Sequence, residues 1–243
     1  MNSNKRRTEH ANGGLVREPR RGSSPHSSDR ASQQLRTLVT RQAAKLIAEG
    51  LTDYHAAKLK AARQLNCNDK NALPNNHEIE AALREHLSLF CADTQPAVIA
   101  ALRRVALRAM RWLQIEGQGG AGQLATSAIV FEPWLAGAVL NGTANEFSNI
   151  ELELVGVETK TMEFILLNRG VEFDLTDGNV ISKSYKPAET TKKIQYHLEF
   201  EGVPVVITLY DSHVQRCAFF PRGNIKHERA KLTEAEALFG IKL

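Results

Sequence analysis

The segment that decides the fold is "AGAVLNGTANEFSNIELELV", residues 136–155. It passes from small residues and glycine through a short polar bend into a segment that alternates residue by residue. Side chains on a strand point to opposite faces in turn, so Ile150, Leu152 and Leu154 share one face and Glu151 and Glu153 the other. One face is built to be buried; the other carries two carboxylates. Two readings of those carboxylates stand side by side. They are the wetted face of a half-exposed strand, or a pair that meets a common ligand.

Working downstream, "ETKTMEFILLNRG" (158–170) reads as a helix with Met162, Ile165 and Leu166 inward and Gly170 as its stop. "VEFDLTDGNVISKSY" (171–185) reads as strand, Asp177-Gly178 turn, strand. "KIQYHLEFEGVPVVITLY" (193–210) gives two more strands around Glu201-Gly202. Thr233 with Glu236 is the expected capping box of a last short helix. Upstream, "SAIVFEPWLAGAVL" (127–140) is rich in β-formers, and Pro133 predicts an edge, bulge or break there.

Farther upstream the period changes to that of a helix. "QLRTLVTRQAAKLIAEG" (34–50) places Leu35, Leu38, Val39, Ala43, Leu46 and Ile47 on one stripe that Gly50 ends. A second helix follows Thr52 or Asp53 as N-cap, a third covers 77–90, and a fourth covers 95–114. The fourth leaves Arg103, Arg104, Arg108 and Arg111 on its polar side. Four glycines in "EGQGGAGQ" (116–123) read as a connector, since the Lys-Ser/Thr that ends a P-loop is absent. The expected class is therefore α+β: a basic disordered tail over 1–30, a helical region over 31–115, and an α+β sheet domain over 124–243.

Charge is concentrated at one end. Residues 1–36 hold eight Lys or Arg against three acids, so that stretch carries +5 and the remainder −1 of the net +4. A solvated tail without a partner is the expected reading of such an arm; contact with nucleic acid or an anionic surface is the alternative. Cys67, Cys91 and Cys217 are too few and too scattered for a disulfide framework or a metal knuckle, which points to a reducing compartment, the cytoplasm. No apolar run is long enough for a membrane span, so no membrane partner is expected.

The opening segment resembles the signature of the nucleotidyltransferase superfamily, which shares the palm fold of DNA polymerase beta, in its minimal-nucleotidyltransferase form. That signature runs Gly-Ser, then Gly-x-Ala, a short bend, and Ser-Asp-Ile-Asp-Leu. Gly137 stands for the first glycine and Ala138 for the serine. Gly142, Thr143 and Ala144 match the second element, and Ser148, Asn149, Ile150, Glu151 and Leu152 match the strand. A bacterial group within the superfamily has a similar helical N-terminus and a helix like "FILLNRG" (164–170). The resemblance implies a helical region packed on a mixed β-sheet, with Gly137, Gly142, Thr143, Ser148 and Asn149 as nucleotide-binding positions.

Departures decide what chemistry the resemblance implies. Ala138 replaces the serine, Asn149 replaces the first metal carboxylate, and Glu151 is longer than the expected aspartate. The strand expected to bring a third carboxylate, "GVPVVITLY" (202–210), offers Val205, Val206, Ile207 and Thr208. A register shifted by two makes Glu151 and Glu153 the catalytic, metal-holding pair, with Gly142-Thr143 at the phosphates and Glu199, Glu201 or Asp211 as third acid. Three functions follow. The first is a nucleotidyltransferase-like protein with an eroded metal site that binds a nucleoside triphosphate or acts as a regulatory module. The second is an active Mg²⁺-dependent transferase of a nucleoside monophosphate. The third is a structural or interaction protein using its basic arm.

Other chemistries lack their residues. "HEIEA" (77–81) has Ala81 where a zinc protease needs its second histidine, and no Gly-x-Ser-x-Gly elbow occurs. His197 and Glu199 share a strand face and read as a surface pair. "FFPRGNIKHER" (219–229) offers Arg222, Lys226 and Arg229 beside aromatics, as a phosphate contact or an ordinary basic loop.

Overall fold

The computed structural model of the protein describes residues 25–119, 131–181, 190–210 and 229–242. Its architecture is α+β, with helices leading into a six-stranded mixed sheet. Among the described residues no helix is long and apolar enough to cross a membrane.

Three helices, α1 (Pro25–Ala48), α2 (Tyr54–Gln64) and α3 (Asn76–Phe90), close a core of their own from Val39, Ala43, Ile47, Ala57, Ala61, Ile79, Leu83 and Leu87. Their ends are set by local chemistry. The Asp53 carboxylate accepts the His55 amide at 2.8 Å, satisfying a donor that the first turn of α2 leaves without a helical partner. Asn75 and Glu78 form a reciprocal capping box on α3. Glu78 also receives the Arg36 guanidinium at 2.7 Å, which fastens α3 to α1.

The fourth helix, α4 (Gln95–Gly119), belongs to a different core. Its Leu102, Ala106, Met110 and Leu113 pack with the buried face of the sheet and with Met162, Ile165 and Leu166 of α6 (Thr159–Asn168). Leu232 and Ala235 of α7 (Leu232–Phe239) join the same cluster. Three of the four arginines on the polar side of α4 serve this packing, while Arg104 is exposed. Arg103 donates to the Val139 carbonyl at 3.3 Å and lies 4.3 Å from the Phe239 ring centre. Arg108 pairs with Glu201, and Arg111 with Glu236.

The strands are β1 (Trp134–Ala136), β2 (Ile150–Val155), β3 (Phe173–Ile181), β4 (Thr190–Phe200), β5 (Val203–Tyr210) and β6 (Arg229–Lys231). Their spatial order is β3-β4-β5-β2-β1-β6, antiparallel throughout except for the parallel β2–β5 pair. Ile150, Leu152 and Leu154 are fully buried, as their alternation predicts. Glu201 and Gly202, at φ +52° and +76°, turn the chain between β4 and β5 as a two-residue hairpin requires.

Several local expectations are corrected. The Asp177-Gly178 pair does not turn. β3 runs straight through it, with Asp177 opposite Ile194 and Gly178 opposite Lys193, because pairing along β4 outweighs the local turn signal. The segment after β1 folds into the short helix α5 (Gly137–Asn141) rather than extending the strand. α4 continues into the glycine segment, and Gly117 is there for packing: a Cβ on it would sit 2.6 Å from the Phe131 ring. The cap of α7 is Lys231, whose amide donates to Glu234 at 2.9 Å, so Thr233 lies within the helix. α1 starts at Pro25, inside the stretch expected to be disordered, with proline at a position where its missing N–H costs nothing. Residues 1–24 of the tail, Asp211, Cys217, Arg222 and Lys226 lie outside the described residues.

Candidate functional site

The sheet has two unlike faces. One is sealed by α4, α6 and α7; the other looks across a cleft of about 680 Å³ toward α1–α3. The strand register fixes what the open face carries. Arg229, Ala136, Glu151, Val206 and His197 form one cross-strand row, and Lys231, Trp134, Glu153, Thr208 and Gln195 the next. Tyr210 and Lys193 begin a third. Opposite them, Asp53, Tyr54, Asn76, His77 and Glu80 supply the helical wall.

The bend before β2 holds these walls together. Asn145 accepts the Phe147 amide at 3.0 Å and the Ser148 hydroxyl at 3.0 Å. Ser148 Oγ in turn accepts the Asn145 amide at 2.9 Å. The Asn145 side-chain amide donates to the Ile47 carbonyl at 3.2 Å, at the end of α1. Thus Ser148 closes the bend, and the bend anchors the helical region to the sheet.

Of the residues singled out from the sequence, Gly137, Thr143, Ser148, Asn149, Glu151 and Glu153 line the cleft. Gly142 does not: at φ +81° it ends α5, and its carbonyl accepts from Gln95 at 3.0 Å. Gly137, at φ +69°, lies beneath the Glu151 carboxylate. A Cβ there would sit 2.4 Å from Oε1, so a side chain would strain the backbone and displace the carboxylate. Thr143 is 2% exposed, and its Oγ1 has no hydrogen-bond partner among the described residues. Buried hydroxyls are ordinarily satisfied, so this one is an exception at the edge of the cleft.

The two glutamates are not equivalent. Glu151 is exposed as a residue, but desolvation of its carboxyl within the cleft, reinforced by the Glu153 charge and opposed by Lys193, pushes it above the usual range. Glu153 is engaged. It pairs with Arg229, whose Nη2 donates to Oε1 at 3.3 Å while Nε lies against Oε2, and Oε1 also accepts the Tyr210 hydroxyl at 3.2 Å. Burial first, then Glu153, raises the Tyr210 phenol, which stays protonated and donates.

Sequence reasoning left Arg229 as a phosphate contact or part of an ordinary basic loop, and missed its pairing with Glu153. It missed Tyr210, Lys193 and the helical wall altogether. The signal lies in register rather than composition: Ala136 is the small residue between Arg229 and Glu151, and it lets the long side chain cross β1.

Two carboxylates and a neutral strand are a poor cradle for Mg²⁺. Val206 and Thr208 stand opposite Glu151 and Glu153 on β5, and one of the two acids is already neutralised by a guanidinium. Among the described residues no group of three His, Cys, Asp or Glu is placed to hold a metal. Octahedral Mg²⁺ with dense oxygen ligation does not fit this set as it stands. Against protein-family models, curated proteins and solved structures alike, the chain finds no match.

Proposed function

We propose that the protein is a nucleotidyltransferase-like binding module of the cytoplasm whose cleft takes a nucleoside triphosphate without transferring it. The observation that carries this reading is the engagement of Glu153 by Arg229 and Tyr210, which withdraws one of two carboxylates from metal chemistry. Internal pairing also leaves the cleft close to neutral. Glu80 pairs with Arg84 at 2.9 Å, leaving Asp53 and Glu151 to be weighed against Lys193. Asn76, Asn141, Asn149 and Gln195 then supply the hydrogen-bonding surface that base, ribose and phosphate oxygens need.

A thermal-shift panel tests it: each of ATP, GTP, CTP and UTP, with Mg²⁺, Mn²⁺ or EDTA. The expected outcome is a shift with at least one nucleotide that survives EDTA. At a hundred times the dissociation constant the native state gains about 2.7 kcal/mol, well within detection. A shift that requires metal would move the assignment to the active transferase, in which Glu151 and Glu153 share a cation; their common strand face is what favours that second reading. No shift with any nucleotide would leave an interaction protein that retains the architecture.

A further inference from the structure

We infer that the outer face of α1 and α2 is a docking surface for the phosphate backbone of duplex nucleic acid, carried by Arg41, Lys45, Lys60 and Arg63. The inference is independent of the nucleotide reading, since none of the four lines the cleft.

Charge is segregated within the helical region. α1 and α2 together carry seven Lys or Arg against one acid, Asp29. α3 carries Glu78, Glu80 and Glu85 against Arg84. Folding uses two of the seven cations: Arg36 pairs with Glu78 at 2.7 Å, and Lys58 donates to the Asn76 side chain at 3.3 Å. Arg41, Lys60 and Arg63 are exposed and have no ion-pair partner among the described residues. Lys45 lies 3.7 Å from Glu49, with both side chains more than half exposed. A surface pair of that kind contributes little and opens readily.

Helical geometry puts these cations on one surface. Val39, Ala43 and Ile47 turn into the core of the helical region, so Arg41 and Lys45, one turn apart, point away from it. On α2, Ala57 and Ala61 are buried, while Lys60 and Arg63 are exposed. The short connection sets the two helices antiparallel, and Gln42 Nε2 donates to Gln64 Oε1 at 2.8 Å across their seam. About one turn from that contact, toward the connection, stand Lys45 on α1 and Lys60 on α2. Packed helices lie about 8–10 Å apart, so the seam carries cations on both banks within reach of one another.

The chemistry of the surface selects its partner. A duplex presents one negative charge per about 1.7 Å of its axis, so spaced cations meet phosphates whatever the sequence. Gln42 and Gln64, between the cations, bring amide donors of the kind that bind phosphate and sugar oxygens. The stacking platform that single strands use is missing: α1 has no Phe, Tyr or Trp, and Tyr54 of α2 lines the cleft instead. A membrane takes helices with an apolar face to insert. Here those faces are spent on the core, which leaves Leu38 and Leu59 as single, partly exposed residues. The sequence also continues the charge, since residues 1–24 ahead of α1 add six Lys or Arg against two acids.

Fluorescence anisotropy tests the inference on the full chain, with a labelled duplex DNA of two helical turns and its single strand, between about 50 and 200 mM salt. The variants are Arg41→Gln with Lys60→Gln, Arg41→Lys, and Arg104→Gln on α4. The double variant is expected to weaken duplex binding about tenfold or more at low salt, and to reduce the slope of log affinity against log salt by about two, one for each cation lost. Arg41→Lys keeps the charge and is expected to match wild type. Arg104→Gln removes an exposed charge from another surface and is expected to change neither quantity. Should the double variant fail to fold, Arg63→Gln takes its place, with a slope reduced by about one. Absence of duplex binding by wild type would overturn the inference, as would an unchanged slope in the folded double variant or an equal loss in Arg104→Gln. Tighter binding of the single strand would also overturn it. Vesicles of phosphatidylcholine with phosphatidylserine supply the rival anionic surface; stronger binding to them, lost in the same variants, would reassign this face to a membrane.

Discussion

Glu78 and Glu151 are the same residue in two regions of one molecule, and their surroundings drive them in opposite directions. Glu78, on α3, takes hydrogen bonds from Arg36 Nε at 2.9 Å and Nη2 at 2.7 Å and from the Asn75 amide at 2.6 Å. The Arg36 bonds hold its carboxyl below the usual range, against a smaller opposing effect of burial. Glu151, on β2, has desolvation of its carboxyl within the cleft as its dominant influence, and that carboxyl rises. The helical region uses charge as a fastening, while the open face of the sheet keeps a charge where it is disfavoured. Folding alone gives no reason to retain such a group, which is why perturbed carboxylates in clefts mark functional sites.

The same contrast runs through β2 itself, and it can be broken there most forcefully. Leu152 is fully buried between α4 and the neighbouring strands, and Glu151 beside it faces the cleft. Leu152→Ala is expected to cost about 2–5 kcal/mol, the loss of transfer free energy plus a cavity. Glu151→Ala is expected to stay within about 0.5 kcal/mol. Urea denaturation of both measures the gap; equal costs would mean that the strand does not separate a core from a site.

A smaller effect sharpens the link between site and backbone. Gly137→Ala forces an L side chain into left-handed backbone, a cost of about 1–2 kcal/mol, and drives its Cβ toward the Glu151 carboxylate. The carboxylate is the far end of a flexible side chain and can yield, so the two parts are separable. In the Glu151→Ala background the contact part disappears and the backbone part remains. A double-mutant cycle on unfolding free energy is expected to show coupling between the positions. Strict additivity would place the carboxylate elsewhere than over Gly137.

Much of this was legible from local pattern. The alternation of Ile150, Glu151, Leu152, Glu153 and Leu154 states which face is buried, because period two leaves no other assignment. The Asp53 cap, the Gly170 stop and the Glu201-Gly202 turn are likewise local chemistry. What failed was context. Asp177-Gly178 carries the residues of a tight turn, yet β4 offers it a ladder of partners. Gly117 has the look of a hinge, but its lack of a side chain is required by Phe131, beyond the end of α4. The Glu153–Arg229 pair joins residues far apart in the chain through the register of β2, β1 and β6, which no window of sequence contains. The candidate glutamates were therefore readable, and the group that neutralises one of them was not.

The smallest effects test the opening contrast, because the two glutamates must titrate stability with opposite signs. The Glu78 carboxyl is lowered in the folded state, so its contribution is present above the unfolded value of about 4.3 and is lost as pH falls through the folded value. Because the pair is partly exposed and screened, Glu78→Gln is expected to destabilise by no more than about 1 kcal/mol at neutral pH, with the difference closing on acidification. The Glu151 carboxyl is raised, so the native state holds that proton more tightly than the unfolded chain does. Its charge therefore costs stability above the folded value, and the cost is gone below about 4.3. Glu151→Gln is expected to stabilise by about 0.5 kcal/mol at neutral pH, and that advantage is also expected to close on acidification. Chemical denaturation between pH 4 and 8 reads both curves. If Glu151→Gln destabilises at neutral pH, Glu151 is a fastening like Glu78, and the open face loses the property that sets it apart from the helical region.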